Sequence, residues 1–159
     1  MFRIRRVFDA RSPANVRAIA RVQEILREQF PEARSGEADA IPEKLSNHLK
    51  YGFQTILFVA EKGQNKVHGF ALILYDPLLK FCYLDYIAVA GREAGSGLGS
   101  ILYERVRKEA LDLGCVGVFF ECLPDDPALS RSDTVRKQNV ARLRFYERYG
   151  ATPLVGTKY

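Results

Sequence analysis

Nine residues, Gly91-Arg-Glu-Ala-Gly-Ser-Gly-Leu-Gly99, carry four glycines between two strongly patterned segments. Before them, Phe81-Cys-Tyr-Leu-Asp-Tyr-Ile-Ala-Val89 is nearly all apolar, the pattern of a strand buried on both faces. After them, Ser100 to Leu113 sets Ile101, Leu102, Val106, Ala110 and Leu113 on one helical stripe. The junction therefore folds as strand, glycine turn and helix. Such a turn presents backbone N–H groups at a helix N-terminus with no side chains in the way. Unpaired amides and the positive end of the helix dipole attract an anion such as a pyrophosphate. Glycine supplies the positive φ and the close approach. A helix that merely packs tightly on a strand also uses glycine, and at this point both readings stand. The turn is not a P-loop, because Gly-Lys-Ser/Thr is missing. It is a poor dinucleotide fingerprint, because no acidic ribose ligand ends the next strand at a suitable spacing.

The flanking sequence supplies the rest of an α/β sheet. Phe2 to Asp9 alternates roughly and predicts a strand. Ser12-Pro13 starts a helix, with Ser as N-cap and Pro at N1. Val16, Ile19, Gln23, Leu26 and Phe30 form its stripe. Pro42 opens a second, shorter helix to about Lys50. Thr55 to Glu61 and Val67 to Tyr75 form a hairpin across the turn at 62–66. Gly114 caps the helix after the glycine turn. Val116 to Cys122 reads as another buried strand, Leu123 to Thr134 as a loop, Val135 to Tyr149 as a helix stopped by Gly150, and Ala151 to Tyr159 as a last strand. The order β-α-α-β-β-β-α-β-α-β is a mixed sheet with helices on its faces. No repeat, low-complexity segment or long linker interrupts it, so residues 1–159 read as one domain.

Composition narrows the function. With 159 residues, 47% hydrophobic and 27% charged, the chain has the make-up of a soluble globular protein. The longest uncharged apolar run, Gly69 to Tyr75, is far short of the ~20 residues of a membrane helix. The first six residues carry charge but no apolar h-region, so they do not read as a secretion signal. Cys82, Cys115 and Cys122 are few, odd in number and free of C-x-x-C spacing, which suggests thiols in a reducing cytosol. Cys82 and Cys122 lie in apolar runs and read as buried hydrophobes. His48 and His68 are the two histidines. Neither belongs to a cluster with metal-ligand spacing, so no metal is expected. Both read as surface or satisfied side chains rather than parts of a nucleophilic triad.

The net charge is +5, and residues 1–30 hold seven arginines against Asp9, Glu24 and Glu28. A second basic stretch runs from Arg131 to Arg148. The arginines recur at helical intervals with no stacking platform between them, which favours a solvated helix face over a nucleic-acid surface.

Two motifs carry a family resemblance. Tyr86-Ile-Ala-Val-Ala-Gly-Arg-Glu-Ala-Gly-Ser-Gly-Leu-Gly-Ser-Ile-Leu resembles the acetyl-CoA motif of the GNAT superfamily of N-acetyltransferases, in which a strand leads to (Arg/Gln)-x-x-Gly-x-(Gly/Ala) and a helix. Downstream, Asn139-Val-Ala-Arg-Leu-Arg-Phe-Tyr-Glu-Arg-Tyr-Gly150 is similar to that family's Asn-x-x-Ala-x-x-Phe/Leu-Tyr-Glu-x-x-Gly helix. The two stand in the family's order, with a predicted strand between them. The resemblance spans nearly the whole chain. In one register Ala94 stands where the family carries Arg or Gln; in the other, Arg92-x-x-Gly95-x-Gly97 supplies the arginine. The family ends with two strands after the last helix, whereas this chain has room for about one, so its final strand pair is expected to be incomplete or completed from elsewhere.

The resemblance implies a mostly antiparallel sheet with a splayed parallel strand pair and helices on both faces. It also implies direct acetyl transfer from acetyl-CoA to a primary amine, without an acyl-enzyme. The amine must attack as the neutral base, the thioester carbonyl must be polarised, and the thiolate must leave protonated. By the same resemblance, the backbone of Ile87, Ala88 and Val89 pairs with the pantetheine arm and offers an oxyanion donor. The turn residues Ala94, Gly95, Ser96, Gly97, Leu98, Gly99 and Ser100 take the pyrophosphate, and Asn139 bonds the pantetheine arm. Tyr146 is the matching general acid, a phenol of ordinary pKa about 10 facing a thiol near 8.5. Tyr149 is read as packing.

The base is Asp85, Glu121 or a water chain. Asp85 shares a face with Ile87 and Val89 by period-two counting, and a lone Asp in an apolar strand is unusual. Glu121, expected on the next strand, is followed by Asp125 and Asp126, which could draw in a cationic amine. The expected partners are acetyl-CoA and an amine acceptor, with no membrane, a monomer or homodimer, and a cytoplasmic setting. Two other classes stand beside this one: a non-catalytic acyl-CoA-binding module of a larger protein, and a basic nucleic-acid binder.

Overall fold

Arginines alternating with apolar residues build the sheet's first edge. In the computed structural model, which describes residues 1–31, 33–129 and 132–156, β1 (Arg3–Val7) pairs antiparallel with β2 (Gln54–Lys62). Strand β2 pairs antiparallel with β3 (Lys66–Asp76), and β3 with β4 (Phe81–Val89). Parallel to β4 runs β5 (Val118–Phe119), so the sheet order is β1-β2-β3-β4-β5. By contact, the chain divides into two compact units, Met1–Phe120 and Glu121–Tyr159. The whole sheet lies in the first.

Period-two alternation sends each strand's side chains to opposite faces. On one face Leu57, Val59, Phe70 and Leu72 join a core cluster with Ile19, Val22, Ile25 and Leu26 of α1 (Pro13–Gln29) and Ile41 of α2 (Ile41–Ser46). On the other face lies α4 (Leu98–Asp112); its Arg105 guanidinium stands 4.2 Å above the Phe58 ring. Between α2 and β2 comes α3 (His48–Tyr51). The predicted second helix is thus split, because the Asn47 side chain accepts the Lys50 N–H and caps a new helix there.

Strand β1 serves both faces. Arg5 donates to Glu61 (2.9 Å) and to Asn15 of α1 (2.6 Å), while Arg6 crosses to Glu109 of α4 (2.8 Å). Glu61 and Glu109 are buried, and each is held by two arginines: Arg3 and Arg5 for the first, Arg6 and Arg105 for the second. Much of the N-terminal basic charge is therefore spent on internal ion pairs.

The helix stripes hold at Ile19, Leu26, Leu102, Val106 and Ala110, which are buried, and fail at their margins. Val16 and Ile101 are exposed, whereas Asn15, Ala18 and Val22 of α1 and Tyr103 and Glu109 of α4 turn inward. Buried polar partners decide this: Asn15 receives Arg5 and donates to Asp9, and Glu109 receives two arginines. Ser12 is the N-cap of α1 as expected, but its side chain makes no cap. Asp9 instead accepts the Arg11 and Ser12 amides at 2.8 and 2.7 Å. Those two bonds hold its carboxyl below the ordinary 3.8.

Two β-bulges interrupt the ladders. In β3, Ala60 faces Gly69 while Glu61 faces Val67, which makes His68 the extra residue. In β4, Leu72 faces Tyr86 while Ile73 faces Leu84, which makes Asp85 the extra residue. A bulge bends and twists its strand. Strand β5 follows β4 only at Cys82 and Tyr83, just short of the second bulge. This corrects the predicted strand Val116–Cys122: once β4 bends away, residues beyond Phe119 have no ladder to join. Glu121 and Cys122 lie outside any strand, and Cys122 is half-buried rather than buried.

The second unit contains α5 (Asp133–Glu147). Gly150 follows at φ +80, with its amide bonded to the Glu147 carbonyl, and so stops the helix as expected. Residues 151–156 form no strand. Residues 157–159 of the predicted last strand lie outside the described residues.

Candidate functional site

The anion-binding expectation falls on the segment between β4 and α4. A short 3-10 turn, Gly91–Glu93, leaves β4, and Gly97 caps α4. Gly95 and Gly97 have φ of +78 and +81, the left-handed region that glycine enters without strain. A Cβ placed on Gly95, Gly97 or Gly99 would meet nothing within 4 Å, so the space in front of the turn is open.

The amides divide into two groups. Ala94 donates to Gly91 O (3.2 Å) and Ser96 to Glu93 O (3.1 Å), and these bonds shape the turn. Leu98 N–H reaches the Ser96 hydroxyl at 3.3 Å. Among the described residues, no acceptor takes the amides of Gly95, Gly97, Gly99 and Ser100. These four donors stand at the positive end of the 15-residue helix α4. Arg92 sits on the 3-10 turn, largely exposed, with Nε 3.8 Å from Glu93 Oε1. Ala94 is exposed in the same stretch.

Strand β4 supplies the second feature. Past Tyr83 its β5-side edge carries no ladder among the described residues, and Ile87, Ala88 and Val89 lie along that edge. Ala88 is buried, and Ile87 and Val89 are half-buried. The strand bulge bears on the counting that placed Asp85. Cys82 and Leu84 share the α4 face, opposite Tyr75 and Ile73, but after the bulge it is Ile87, opposite Ala71, that turns there. Counting by twos from Ile87 and Val89 does not carry across residue 85. Asp85 is itself the extra residue, so counting from Tyr83 gives it one face and counting from Ile87 the other.

In the second unit, Asn139 and Tyr146 of α5 are both buried. The Asn139 amide donates to Pro124 O at 2.8 Å, which ties α5 to the preceding loop. Tyr146 packs edge-on against Phe145 (5.1 Å), and its carbonyl accepts the amides of Tyr149 and Ala151. Tyr149 lies 5.3 Å from Phe145, ring to ring. Glu121 is exposed at the start of this unit.

Sequence reasoning missed two residues that shape the turn. His68 Nδ1 lies 2.8 Å from Glu93 Oε1. A Cβ on Gly69 would stand 2.9 Å from Ala88 O and 3.1 Å from Val89 Cγ1, so only glycine lets β3 approach β4 there. Neither had a sequence signal beyond a histidine next to a glycine within a strand. Among the described residues, no group of three or more His, Cys, Asp or Glu side chains could hold a metal ion, and no helix is long and apolar enough to cross a membrane.

Comparison with known proteins gives a family. A model of the acetyltransferase (GNAT) family matches residues 19–151. No curated protein matches the chain. Among solved structures, an acetyltransferase of the GNAT family from Desulfovibrio desulfuricans superposes with a TM-score of 0.69 at 24% identity, over 98% of this chain and 87% of that one. Glucosamine-6-phosphate N-acetyltransferase from Arabidopsis thaliana gives 0.65 at 18% identity, over 100% and 98%. The catalytic domain of a Tetrahymena histone acetyltransferase, in complex with coenzyme A, gives 0.59 at 14% identity, over 74% and 66%. At these identities the likeness is one of fold.

Proposed function

Because the chain belongs to the GNAT family of acetyltransferases, we propose that it moves the acetyl group of acetyl-CoA directly onto a primary amine. The observation that carries this reading is the set of four unclaimed amides, Gly95, Gly97, Gly99 and Ser100, at the N-terminus of α4 beside the unladdered edge of β4. Donors preorganised in open space suit a diphosphate, and an edge strand with free backbone groups suits an amide-bearing arm.

In this reading the turn from Ala94 to Ser100, with Arg92 beside it, takes the coenzyme's pyrophosphate. The backbone of Ile87, Ala88 and Val89 takes the pantetheine arm, and one of these amides donates to the thioester oxygen as charge grows there. On the family resemblance, Asn139 also bonds the arm. Asp85, Glu121 or ordered water removes the proton that makes the amine an ammonium. The amine nitrogen then forms the new C–N bond as the C–S bond breaks, Tyr146 gives its phenolic proton to the leaving sulfur, and the proton that the acylated nitrogen sheds returns to the tyrosinate through water. The products are an acetamide and the free thiol of coenzyme A.

The test is thermal stability with and without acetyl-CoA. At a hundredfold excess over Kd a ligand of the native state adds about 2.7 kcal/mol. For a chain of this length that is a rise of roughly 5–10 °C. No shift at millimolar acetyl-CoA would reject the reading. Tyr146→Phe, assayed by thiol release with a panel of amines, is expected to keep the shift and lose turnover. A panel that gives no turnover with the wild-type chain, despite a full shift, would favour a non-catalytic acyl-CoA-binding module.

A further inference from the structure

The contact between β3 and the glycine turn has no part in the roles above. His68 is the extra residue of the β3 bulge, and it holds the turn in two ways. Its carbonyl accepts the Ala90 N–H at 2.8 Å, which fixes where β4 ends. Its Nδ1 lies 2.8 Å from Glu93 Oε1, with the two side chains only 10% and 16% exposed. The Phe2 ring stands edge-on to the imidazole at 5.5 Å and limits its freedom to turn. Glu93 is in turn the hub of the glycine segment. Its N–H donates to Ala90 O at 2.8 Å, and its carbonyl accepts Ser96 N–H at 3.1 Å, closing the bend that contains Gly95.

This arrangement answers an electrostatic problem. Glu93 is a carboxylate two residues before Gly95, and left loose it would repel a diphosphate approaching the turn. An imidazole carrying its proton on Nδ1 donates to that carboxylate and draws it toward β3. The Arg92 Nε, 3.8 Å from the same oxygen, reinforces the arrangement. We propose that His68 is a positioning residue for coenzyme A: through Glu93 it sets the shape of the glycine turn and keeps a negative charge off the phosphate site. The proposal rests on reading that turn as the coenzyme's phosphate site.

The test is the Kd of coenzyme A for the full chain, measured by titration calorimetry, beside urea unfolding without ligand. His68→Phe, which frees the carboxylate, is expected to weaken coenzyme A by about tenfold, the scale of one hydrogen bond to a charged group, and Glu93→Ala, which breaks the same brace but removes the charge, by a smaller factor. The double variant is expected to be no weaker than either single one, because both remove the same link. His68→Asn, whose Nδ2 stands in for the imidazole Nδ1, is expected to recover most of the affinity. A merely structural histidine would lower the urea midpoint and leave the Kd of the folded protein unchanged. Glu93 lies on a surface turn, so Glu93→Ala carries the test should His68→Phe fail to fold. Wild-type affinity in Glu93→Ala, or additive losses in the double variant, would overturn the proposal alone. Coenzyme A that fails to bind the wild-type chain would overturn the reading of the turn and the proposal together.

Discussion

Replacing Gly69 by Ala adds a single methyl group at the closest approach of β3 to β4. That methyl would lie 2.9 Å from the Ala88 carbonyl oxygen, 3.1 Å from Val89 Cγ1 and 3.1 Å from Leu102 Cδ1. The last two are ends of side chains and can yield. The first is backbone, and relief requires β4 to retreat by a few tenths of an ångström against its own ladder. Overpacking of this kind costs about 1–3 kcal/mol. Intrinsic preference works the other way, since Ala in a strand is favoured over Gly by roughly 0.5–1 kcal/mol. The net expectation is a loss of about 1–2 kcal/mol, read as a lower urea midpoint at unchanged m, or roughly 2–8 °C in Tm. Gly99→Ala is the control. It lies in the first turn of α4 with nothing within 4 Å of its Cβ and no positive φ, so it should match or exceed wild-type stability by up to about 1 kcal/mol. Because β4 retreats at Ala88 and Val89, Gly69→Ala should also weaken coenzyme A. Two variants of like sign, or a Gly69→Ala midpoint indistinguishable from wild type, would refute the steric argument.

The Thr55 hydroxyl is buried with no hydrogen-bond partner among the described residues, so Thr55→Val should leave the unfolding free energy in urea unchanged or raise it by about 1 kcal/mol; a clear loss would show that the hydroxyl is satisfied. Glu109→Gln removes the charge shared by Arg6 and Arg105. Both arginines keep some exposure, so the loss in urea unfolding should be about 1–3 kcal/mol, less than for a wholly buried pair. Burial, and after it the neighbouring Cys115 thiol, pushes the Cys82 thiol from 9.0 up to about 12. Between those values the unfolded chain releases a proton that the folded chain keeps, so stability is full below pH 9.0 and falls as pH rises toward about 12. The Cys115 and Cys122 thiols are raised too, chiefly by burial, and add slope of the same sign. Urea midpoints followed through that range should decline less steeply in Cys82→Val than in wild type; parallel curves would contradict the assignment.

Local chemistry made some elements readable. Strand β4 runs over Phe81–Val89, the limits its apolar composition predicts, and Pro13 starts α1 as a proline at N1 does. The glycine turn was legible because Gly95 and Gly97 adopt a backbone that few other residues tolerate. What escaped was set at a distance. Ile101 is apolar yet exposed, while Glu109 is charged yet buried, because Arg6, about a hundred positions earlier, supplies the partner. Strand β5 ends early because of a bend in β4 that no residue of β5 encodes. The bulges at His68 and Asp85 have no local code either: they answer to register between strands, and counting along one strand cannot see them.

The bulge in β4 lets that strand change direction without changing its hydrophobic pattern. Leu84 faces Ile73 and Tyr86 faces Leu72, so a chain lacking Asp85 would join the two in unbroken alternation, with Cys82, Leu84, Ile87 and Val89 still on the α4 side and Phe81, Tyr83, Tyr86 and Ala88 still on the other. What that chain would lose is the bend. Residue 85 therefore governs the path of the strand, and its neighbours govern which layer each side chain enters, so the two can change independently.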